Sequence, residues 1–379
     1  MPFNLLFQQQ KPDCNMDLIT TTLSFLVLLT ILVFFHELGH YWVARKNGVK
    51  VNVFSVGFGP ELFGYTDKNQ TRWKFSLVPL GGYVKMFGDS DVSSSTHETG
   101  NLSEEEYLTT FKAKSVSQRF AIVAAGPIAN FVLAIILLAG LFIFVGQPYS
   151  VPRVSNVMEG SAAEQAGFMV DDLVVEADGQ SVLRFEDLQR IVQLGTGDAI
   201  TVHVERDQQV VELTVTPKVD ISFDSRGNEV KRLLLGIQSK GSSYKKHDPW
   251  TAVVQAGVET YDLSIGTFKA IGQIFQGQRS VDELGGPVRI AHMSGQAAEA
   301  GLATYIWLMA VLSINLGLLN LMPIPMLDGG HLLFYGFEAA LGRPISDRTQ
   351  EYCFRIGLAL VLSLMLFVTW NDVGYFQLF

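Results

Sequence analysis

The sequence contains one short segment whose residue types could bind a metal ion and activate a water molecule, His36-Glu37-Leu38-Gly39-His40. If this segment is helical, the two histidines lie one turn apart on the same face, where both imidazoles can bind one zinc ion. Glu37 is not spaced to be a third ligand, but it is placed to take a proton from a zinc-bound water, which is the division of roles in the H-E-x-x-H motif. The alternative is a chance match, in which the same residues form a solvated helix surface.

The motif directly follows an apolar stretch. No charged residue lies between Leu18 and Phe35, and this stretch is long enough to cross most of the hydrocarbon core of a bilayer as a helix. Ionisable groups at such a depth are costly and are therefore candidates for function. A signal peptide is the alternative, but the stretch ends in Phe-Phe-His-Glu rather than in small residues around a cleavage site, which favours a retained span.

The composition is typical of a membrane protein with a water-exposed module. Of 379 residues, 48% are hydrophobic and 17% are charged, and the mean hydropathy is +0.25. The formal net charge is -9 and no basic patch is present, which argues against nucleic acid as a partner. Cys14 and Cys353 lie at opposite ends of the chain, which argues against a disulfide framework.

Three further apolar stretches predict membrane spans, at about residues 120–145, within 301–327 and at about 356–370. The fold class predicted is therefore a polytopic α-helical membrane protein with about four transmembrane helices. Most of the Lys and Arg residues near the first spans lie between the first and the second. That loop is expected in the cytoplasm, and the N-terminus outside it.

Between these spans, Trp73–Phe87 has the composition of two short strands that turn at Gly81-Gly82, followed by Tyr83. The segment is too apolar for a cytoplasmic loop, which predicts a membrane-associated β-hairpin beside the metal site. Its free edge could bind an extended substrate segment by strand addition, so Gly81, Gly82 and Tyr83 are candidate substrate-binding residues. The alternative is a hairpin that only supports the site.

After the second span the pattern becomes that of a small α+β domain. The pattern predicts a helix at Phe185–Leu194, a hairpin about Asp207-Gln208 and a last strand at Leu233–Ile237. The order of strands and helices between residues 148 and 240 resembles a circularly permuted bacterial PDZ domain, most clearly from Gly160 to Gly179. PDZ domains bind chain termini by strand addition. After a second span the domain is expected outside the cytoplasm, and the alternative is a rigid spacer or lid without affinity for peptides.

These observations give the following predicted organisation: a flexible leader (1–15), the first two transmembrane helices with the metal motif and the β region (16–147), the PDZ domain (148–240), amphipathic interfacial helices (241–300) and the last two transmembrane helices (301–379).

A catalytic zinc needs a third protein ligand. Asp328 is the preferred candidate because an isolated carboxylate at the end of an apolar span needs a cation, and His331 competes with it. Asn315 and Asn320 lie in the same span. One amide could bind an extended substrate backbone and the other could stabilise an oxyanion, or both could join helices by hydrogen bonds.

With these residues assembled, the chain resembles the site-2 proteases, a family of intramembrane zinc metalloproteases, and specifically the bacterial RseP-like group. The similarity extends over nearly the whole chain after Met16 and rests on a set of matching segments: His36–His40, Gly57-Phe-Gly-Pro60, Pro79–Lys85, Gly126-Pro127 with Asn130, the PDZ-like domain and Asn320–His331.

This resemblance implies one zinc ion per chain, bound by His36, His40 and Asp328, with Glu37 as the catalytic base and Asn320 near the scissile bond. It also implies regulated intramembrane proteolysis in the bacterial cytoplasmic membrane. The expected substrates are single-span proteins such as anti-sigma factors, cut after an upstream site-1-type protease has removed their outer part, and leftover signal peptides.

One feature departs from the family. The best-known members of the RseP-like group carry tandem PDZ domains, whereas this chain has room for one. Two other functions compete with the protease: a catalytically silent scaffold that captures chain ends, and a membrane-anchored peptidase that acts on soluble peptides. The presence of His36, Glu37, His40 and Asp328 argues against the scaffold, because a scaffold does not need them.

Overall fold

The computed structural model describes residues 18–88, 102–194, 197–223, 229–239, 241–276 and 285–375. The leader predicted for residues 1–15 lies outside these ranges. The described residues form two units. One contains the metal motif and comprises Cys14–Gly140, Val253–Phe268 and Leu284–Phe379, and the other is built chiefly from Leu141–Ala252.

The helices, in chain order, are α1 (Leu18–Lys46), α2 (Glu104–Leu108), α3 (Val116–Phe144), α4 (Ala162–Ala166), α5 (Phe185–Leu194), α6 (Pro249–Phe275), α7 (Pro287–Glu299), α8 (Leu302–Leu321), α9 (Asp328–Leu341) and α10 (Asp347–Tyr375). The strands are β1 (Val51–Thr66), β2 (Arg72–Met86), β3 (Gln147–Ser150), β4 (Val154–Val157), β5 (Leu173–Ala177), β6 (Gln180–Ser181), β7 (Ile200–Arg206), β8 (Gln209–Val215), β9 (Lys218–Phe223), β10 (Glu229–Leu234), β11 (Ile237–Ser239) and β12 (Ser242–Lys245).

Four of the described helices are long and apolar enough to cross a membrane, namely α1, α3, α8 and residues Arg348–Asp372 of α10. This agrees with the prediction of about four spans. Helix α1 continues from the apolar stretch through the metal motif to Lys46, where Arg45 and Lys46 lie favourably at the negative end of the helix dipole. Helix α10 has 29 residues and extends beyond the span predicted at about 356–370 at both ends.

The β region differs from the hairpin predicted within Trp73–Phe87. The two halves of β2 do not pair with each other, because the first part of β1 lies between them: Phe54 is opposite both Trp73 and Val84. Strand β1 can turn back on itself because Gly57 has φ 91°, a left-handed conformation that costs glycine little. The result is an antiparallel β1–β2 pair with several bulges, folded so that one half of β2 runs beside α1.

The second unit has its own apolar core, formed by buried residues such as Val174, Leu188 and Val202. The helix predicted at Phe185–Leu194 is α5, and β7 and β8 form the predicted hairpin about Asp207-Gln208, both of which have positive φ. The last strand, predicted at Leu233–Ile237, is interrupted instead. Gly236, with φ 86°, separates β10 from β11, and β11 pairs with β4.

In the unit with the metal motif, α1 packs closely against its neighbours. Its buried Leu28 and Leu32 lie in one cluster with Leu133 of α3 and Leu308 of α8. Farther along, a Cβ added at Gly39 would overlap the carbonyl oxygen of Ala125 in α3. The absence of side-chain atoms at Gly39 therefore allows the backbones of α1 and α3 to approach each other beside the two histidines.

Candidate metal centre

The structure brings together three of the residues singled out in the sequence, His36, His40 and Asp328. Nε2 of His36 lies 3.2 Å from Nε2 of His40 and 3.2 Å from Oδ2 of Asp328. The distance from Nε2 of His40 to Oδ2 of Asp328 is 3.5 Å. The three side chains are largely buried, with exposed fractions of 12%, 10% and 17% for His36, His40 and Asp328.

These spacings fit a zinc ion. Ligand atoms about 2.0–2.1 Å from a tetrahedral zinc are about 3.3 Å from one another, which is close to all three sides of the observed triangle. Oδ2 of Asp328 is buried and makes no hydrogen bond to the described residues, although both imidazoles are near it. A buried carboxylate oxygen without a hydrogen bond is costly unless a cation occupies its free side. Two imidazoles and one carboxylate also leave the fourth position open, as catalytic zinc sites require.

The hydrogen bond made by Nδ1 of His40 sets the tautomer of this imidazole. Nδ1 of His40 lies 2.9 Å from the backbone carbonyl oxygen of Ile122 in α3. A carbonyl can only accept, so Nδ1 donates the hydrogen bond and Nε2 keeps its lone pair for a metal.

Asp328 reaches the histidines because α8 ends at Leu321 and a loop of six residues, 322–327, separates it from Asp328. Pro323 and Pro325 prevent the helix from continuing, and α9 then begins at Asp328. The connecting loop folds tightly over the start of α9, since a Cβ at Gly330 would lie 2.5 Å from the carbonyl oxygen of Ile324. Within the loop, Met326 has φ 89°, a strained conformation for a residue with a side chain.

Helix α3 closes one side of the triangle at Gly126. A Cβ added at Gly126 would overlap Nε2 of His40 and would lie 2.8 Å from Cε1 of His36. Only glycine therefore fits at this position with both imidazoles in place. In the sequence, Gly126 was recognisable as part of a run of small residues, but its contact with the histidines was not.

Strand β2 approaches Glu37 from another direction. The backbone of Val84 faces the Glu37 carboxylate, and a Cβ at Gly82 would lie 3.3 Å from Cγ of Glu37. Gly81 and Tyr83 flank this point, and the Tyr83 ring stacks on Phe58 with centroids 6.1 Å apart. The predicted substrate-binding segment thus lies next to the predicted base.

The other candidates are placed differently. The ring of His331 packs against Phe354, with centroids 5.1 Å apart, and it is not in the cluster with His36, His40 and Asp328. The amide oxygen of Asn315 accepts a hydrogen bond from Oγ1 of Thr267 in α6, at 3.1 Å. Asn320, in the last turn of α8, is half-buried, and its amide makes no hydrogen bond within the described residues.

Comparison with known proteins gives one consistent result. The model of peptidase family M50 matches residues 24–364. A protein of Agrobacterium fabrum, provisionally named a zinc metalloprotease, is 46% identical over 356 residues, covering 92% of this chain and 94% of the relative. Metalloprotease MmpA of Caulobacter vibrioides is 36% identical over 381 residues, covering 94% of this chain and 96% of the relative.

Among solved structures, the PDZ domain of an SdrC-like protein from Listeria innocua matches 25% of this chain and 98% of its own length, with 21% identity and a TM-score of 0.20. The family match covers the metal motif, the β region and the loop that carries Asp328. The chain is a multi-pass membrane metalloprotease, and it belongs to peptidase family M50, the site-2 proteases.

Proposed function

We propose that this metalloprotease binds one zinc ion through His36, His40 and Asp328 and hydrolyses peptide bonds in or near the transmembrane segments of single-span membrane proteins. The observation that carries the proposal is the buried triangle of donor atoms at the end of an apolar span. Both histidines lie in α1, which is itself a candidate span, and Asp328 lies after another candidate span, across a short loop. A metal in this triangle would therefore be close to a substrate helix in the membrane.

The chain's own residues can carry the proton transfers of peptide hydrolysis. When bound, zinc would polarise the scissile carbonyl and lower the pKa of water. Glu37 takes one proton from the attacking water and delivers it to the nitrogen of the leaving amine, so that the peptide bond breaks into a carboxylic acid and an amine. The remaining water proton passes from the new acid to the amine, which leaves a carboxylate and an ammonium group. The amide N–H of Asn320 stabilises the negative charge that develops on the carbonyl oxygen. Asn320 suits this role better than Asn315, because the Asn315 amide already joins α8 to α6.

A transmembrane substrate must also be unwound before it is cut, since its carbonyls are hydrogen-bonded within its own helix. Residues Gly81–Tyr83 of β2 would bind the unwound segment by strand addition, beside Glu37. The position of Gly82 against α1 supports this role, because a substrate strand paired with this segment would lie next to Glu37.

The proposal extends to the place of the chain in the cell. The chain would lie in the bacterial cytoplasmic membrane with its N-terminus and PDZ domain outside and the metal centre toward the cytoplasm, in keeping with the basic residues between the first two spans. The PDZ domain would exclude substrates whose outer part has not been removed by another protease. Anti-sigma-factor-like proteins and remnant signal peptides have the required single span.

The test uses purified full-length protein in detergent with three substrates that share one cleavable sequence. The first is a single-span protein without its outer domain, the second retains the outer domain, and the third is a soluble peptide. Each is incubated with the parent and with the Glu37→Gln variant. We expect the parent to cut the first within its apolar segment and the variant to cut none.

Equal rates on the soluble peptide and the truncated single-span protein would instead indicate a membrane-anchored peptidase. Binding of all three without any cleavage would indicate a scaffold. Equal rates on the truncated and the untruncated proteins would contradict the proposed filter role of the PDZ domain.

A further inference from the structure

Asn130 of α3 is fully buried beside the metal centre, and its contacts are incomplete. Its amide nitrogen Nδ2 lies 3.1 Å from Nδ1 of His36, the ring nitrogen that faces away from Asp328. Its amide oxygen Oδ1 is buried and has no hydrogen-bond partner among the described residues. An unpaired buried amide oxygen normally costs about 1–3 kcal/mol, so this arrangement calls for an explanation.

The chemistry of the imidazole supplies one. A neutral histidine carries one proton, and for Nε2 of His36 to bind a metal that proton must be on Nδ1, which then needs an acceptor. His40 meets this requirement through the Ile122 carbonyl. The group facing Nδ1 of His36 is the Asn130 amide, whose oxygen and nitrogen exchange places when the amide rotates by half a turn.

With the amide rotated, Oδ1 of Asn130 accepts a hydrogen bond from Nδ1 of His36, and Nδ2 takes the buried position that has no hydrogen-bond partner among the described residues. The rotation therefore leaves one amide group unpaired in either orientation, and the need of the His36 Nδ1 proton for an acceptor decides between them. In the orientation of the structure, Nδ2 would donate to Nδ1 instead. The proton of His36 would then be on Nε2, which lies 3.2 Å from Oδ2 of Asp328 and could not bind a metal while protonated.

We infer that Asn130 is a positioning residue of the metal centre: its carbonyl oxygen accepts the Nδ1 proton of His36 and thereby keeps Nε2 free to bind zinc. This inference rests on the proposed function, because it takes His36 to be a ligand. It assigns Asn130 no contact with the substrate.

The backbone around Asn130 is held in place independently of its side chain. Oγ of the buried Ser313 in α8 donates a hydrogen bond to the Asn130 carbonyl oxygen, at 2.8 Å. Gly317, one turn farther along α8, packs on Asn130, since a Cβ added there would lie 3.4 Å from Cβ of Asn130. Ser313 therefore offers a matched control, because its loss would loosen the same part of α3 without removing the amide.

The test compares the zinc affinity of full-length variants, measured by competition with a chromogenic chelator, and the visible absorption of their cobalt(II) forms. Asn130→Asp keeps an acceptor for the Nδ1 proton but has no donor, and Asn130→Leu has neither. We expect Asn130→Asp to bind zinc at least as tightly as the parent, and Asn130→Leu to bind it about 10–100-fold more weakly. The cobalt spectrum should change in Asn130→Leu. In Ser313→Ala the spectrum should remain that of the parent, and only the thermal stability of this variant should fall.

Two results would overturn the inference: zinc affinity in Asn130→Leu equal to that of the parent, or equal losses in Asn130→Asp and Asn130→Leu. The second would mean that the amide acts as a donor or only fills space. A His36→Ala variant separates this outcome from failure of the proposed function. If His36→Ala binds zinc like the parent, His36 is not a ligand and both proposals fail.

Discussion

Gly126 of α3 lies directly against the imidazole of His40 in α1, so closely that any side chain at this position would occupy the space of Nε2. The distance between α1 and α3 therefore depends on the position of the His40 imidazole. A change that separates the two helices should also move this imidazole.

Gly126→Ala should consequently lose zinc affinity by more than about 10-fold, because the added methyl group displaces His40 or pushes α3 away. Zinc content after dialysis against a weak chelator measures this loss. Gly140→Ala is the matched control on the same helix, since a Cβ there meets nothing within 4 Å. Zinc binding by Gly126→Ala equal to that of Gly140→Ala would show that the approach is not tight.

The position of α9, which begins at Asp328, depends on a pair of charges. Nη2 of Arg119 in α3 lies 2.8 Å from Oε1 of Glu338, with exposed fractions of 17% and 14%, and the guanidinium also lies over the Tyr335 ring. Arg119→Met should lower the free energy of unfolding by about 1–3 kcal/mol, because it leaves a largely buried carboxylate without a partner.

Chemical denaturation of the two variants Arg119→Met and Arg355→Met tests this prediction. Arg355 pairs with Glu351 at the surface, with exposed fractions of 71% and 62%, so its loss should change stability little. A loss in Arg119→Met no larger than that in Arg355→Met would refute a structural role for the Arg119–Glu338 pair.

Asp372 in α10 caps a helix that is distant in sequence. Its two carboxylate oxygens accept hydrogen bonds from the backbone N–H groups of Gly286 and Arg289, at 2.9 and 3.0 Å, at the start of α7. Gly286 provides no side-chain cap, and the Asp372 side chain is fully buried. Asp372→Ala should destabilise the protein by about 2 kcal/mol, because one buried and one partly buried backbone donor lose their acceptor.

Asp372→Asn keeps one acceptor oxygen and should lose less stability than Asp372→Ala. Thermal unfolding, together with hydrogen exchange at the α7 N-terminus, distinguishes the variants. The capping role would be wrong if Asp372→Ala exchanged its α7 amides no faster than the parent.

Asp67, in the turn between β1 and β2, makes stability depend on pH. Partial desolvation raises the pKa of this carboxyl, but hydrogen bonds from Trp73, Thr71, Asn69 and Tyr41 outweigh it, and the net pKa is lowered. A group with a lowered folded-state pKa contributes stability above its unfolded pKa, about 3.9, and loses it as the pH falls through the folded value.

The difference in melting temperature between the parent and Asp67→Asn should therefore be largest at neutral pH and shrink below about pH 4. Melting temperatures of both proteins from pH 7 to pH 3 test this. A difference that stays constant or grows at low pH would contradict the assignment.

The local part of the metal centre could be predicted because it depends on covalent spacing. His36 and His40 must share a face of any helix, and a carboxylate such as Asp328 stands out where a span otherwise lacks charge. The pair Gly81-Gly82 led to a wrong prediction, because local sequence indicates a turn there but not which strand lies next to it. The segments on both sides of the pair are bonded to β1 and not to each other.

The supporting contacts could not be predicted, because they join residues far apart in sequence. His36 and Asn130 are 94 positions apart, and Arg119 and Glu338 are 219 apart. Asn315 and Asn320 are equivalent polar residues in the sequence. Only the position of Thr267 in the folded chain shows that one of the two amides is already bonded.

The most direct test of zinc-dependent proteolysis is the zinc content of the purified parent, Glu37→Gln and Asp328→Asn proteins, measured beside cleavage of the truncated single-span substrate. We expect about one zinc per chain and cleavage in the parent, the same zinc content without cleavage in Glu37→Gln, and loss of both in Asp328→Asn. Cleavage by Glu37→Gln at the parent's rate, or full zinc affinity in Asp328→Asn, would contradict the roles proposed for Glu37 and Asp328.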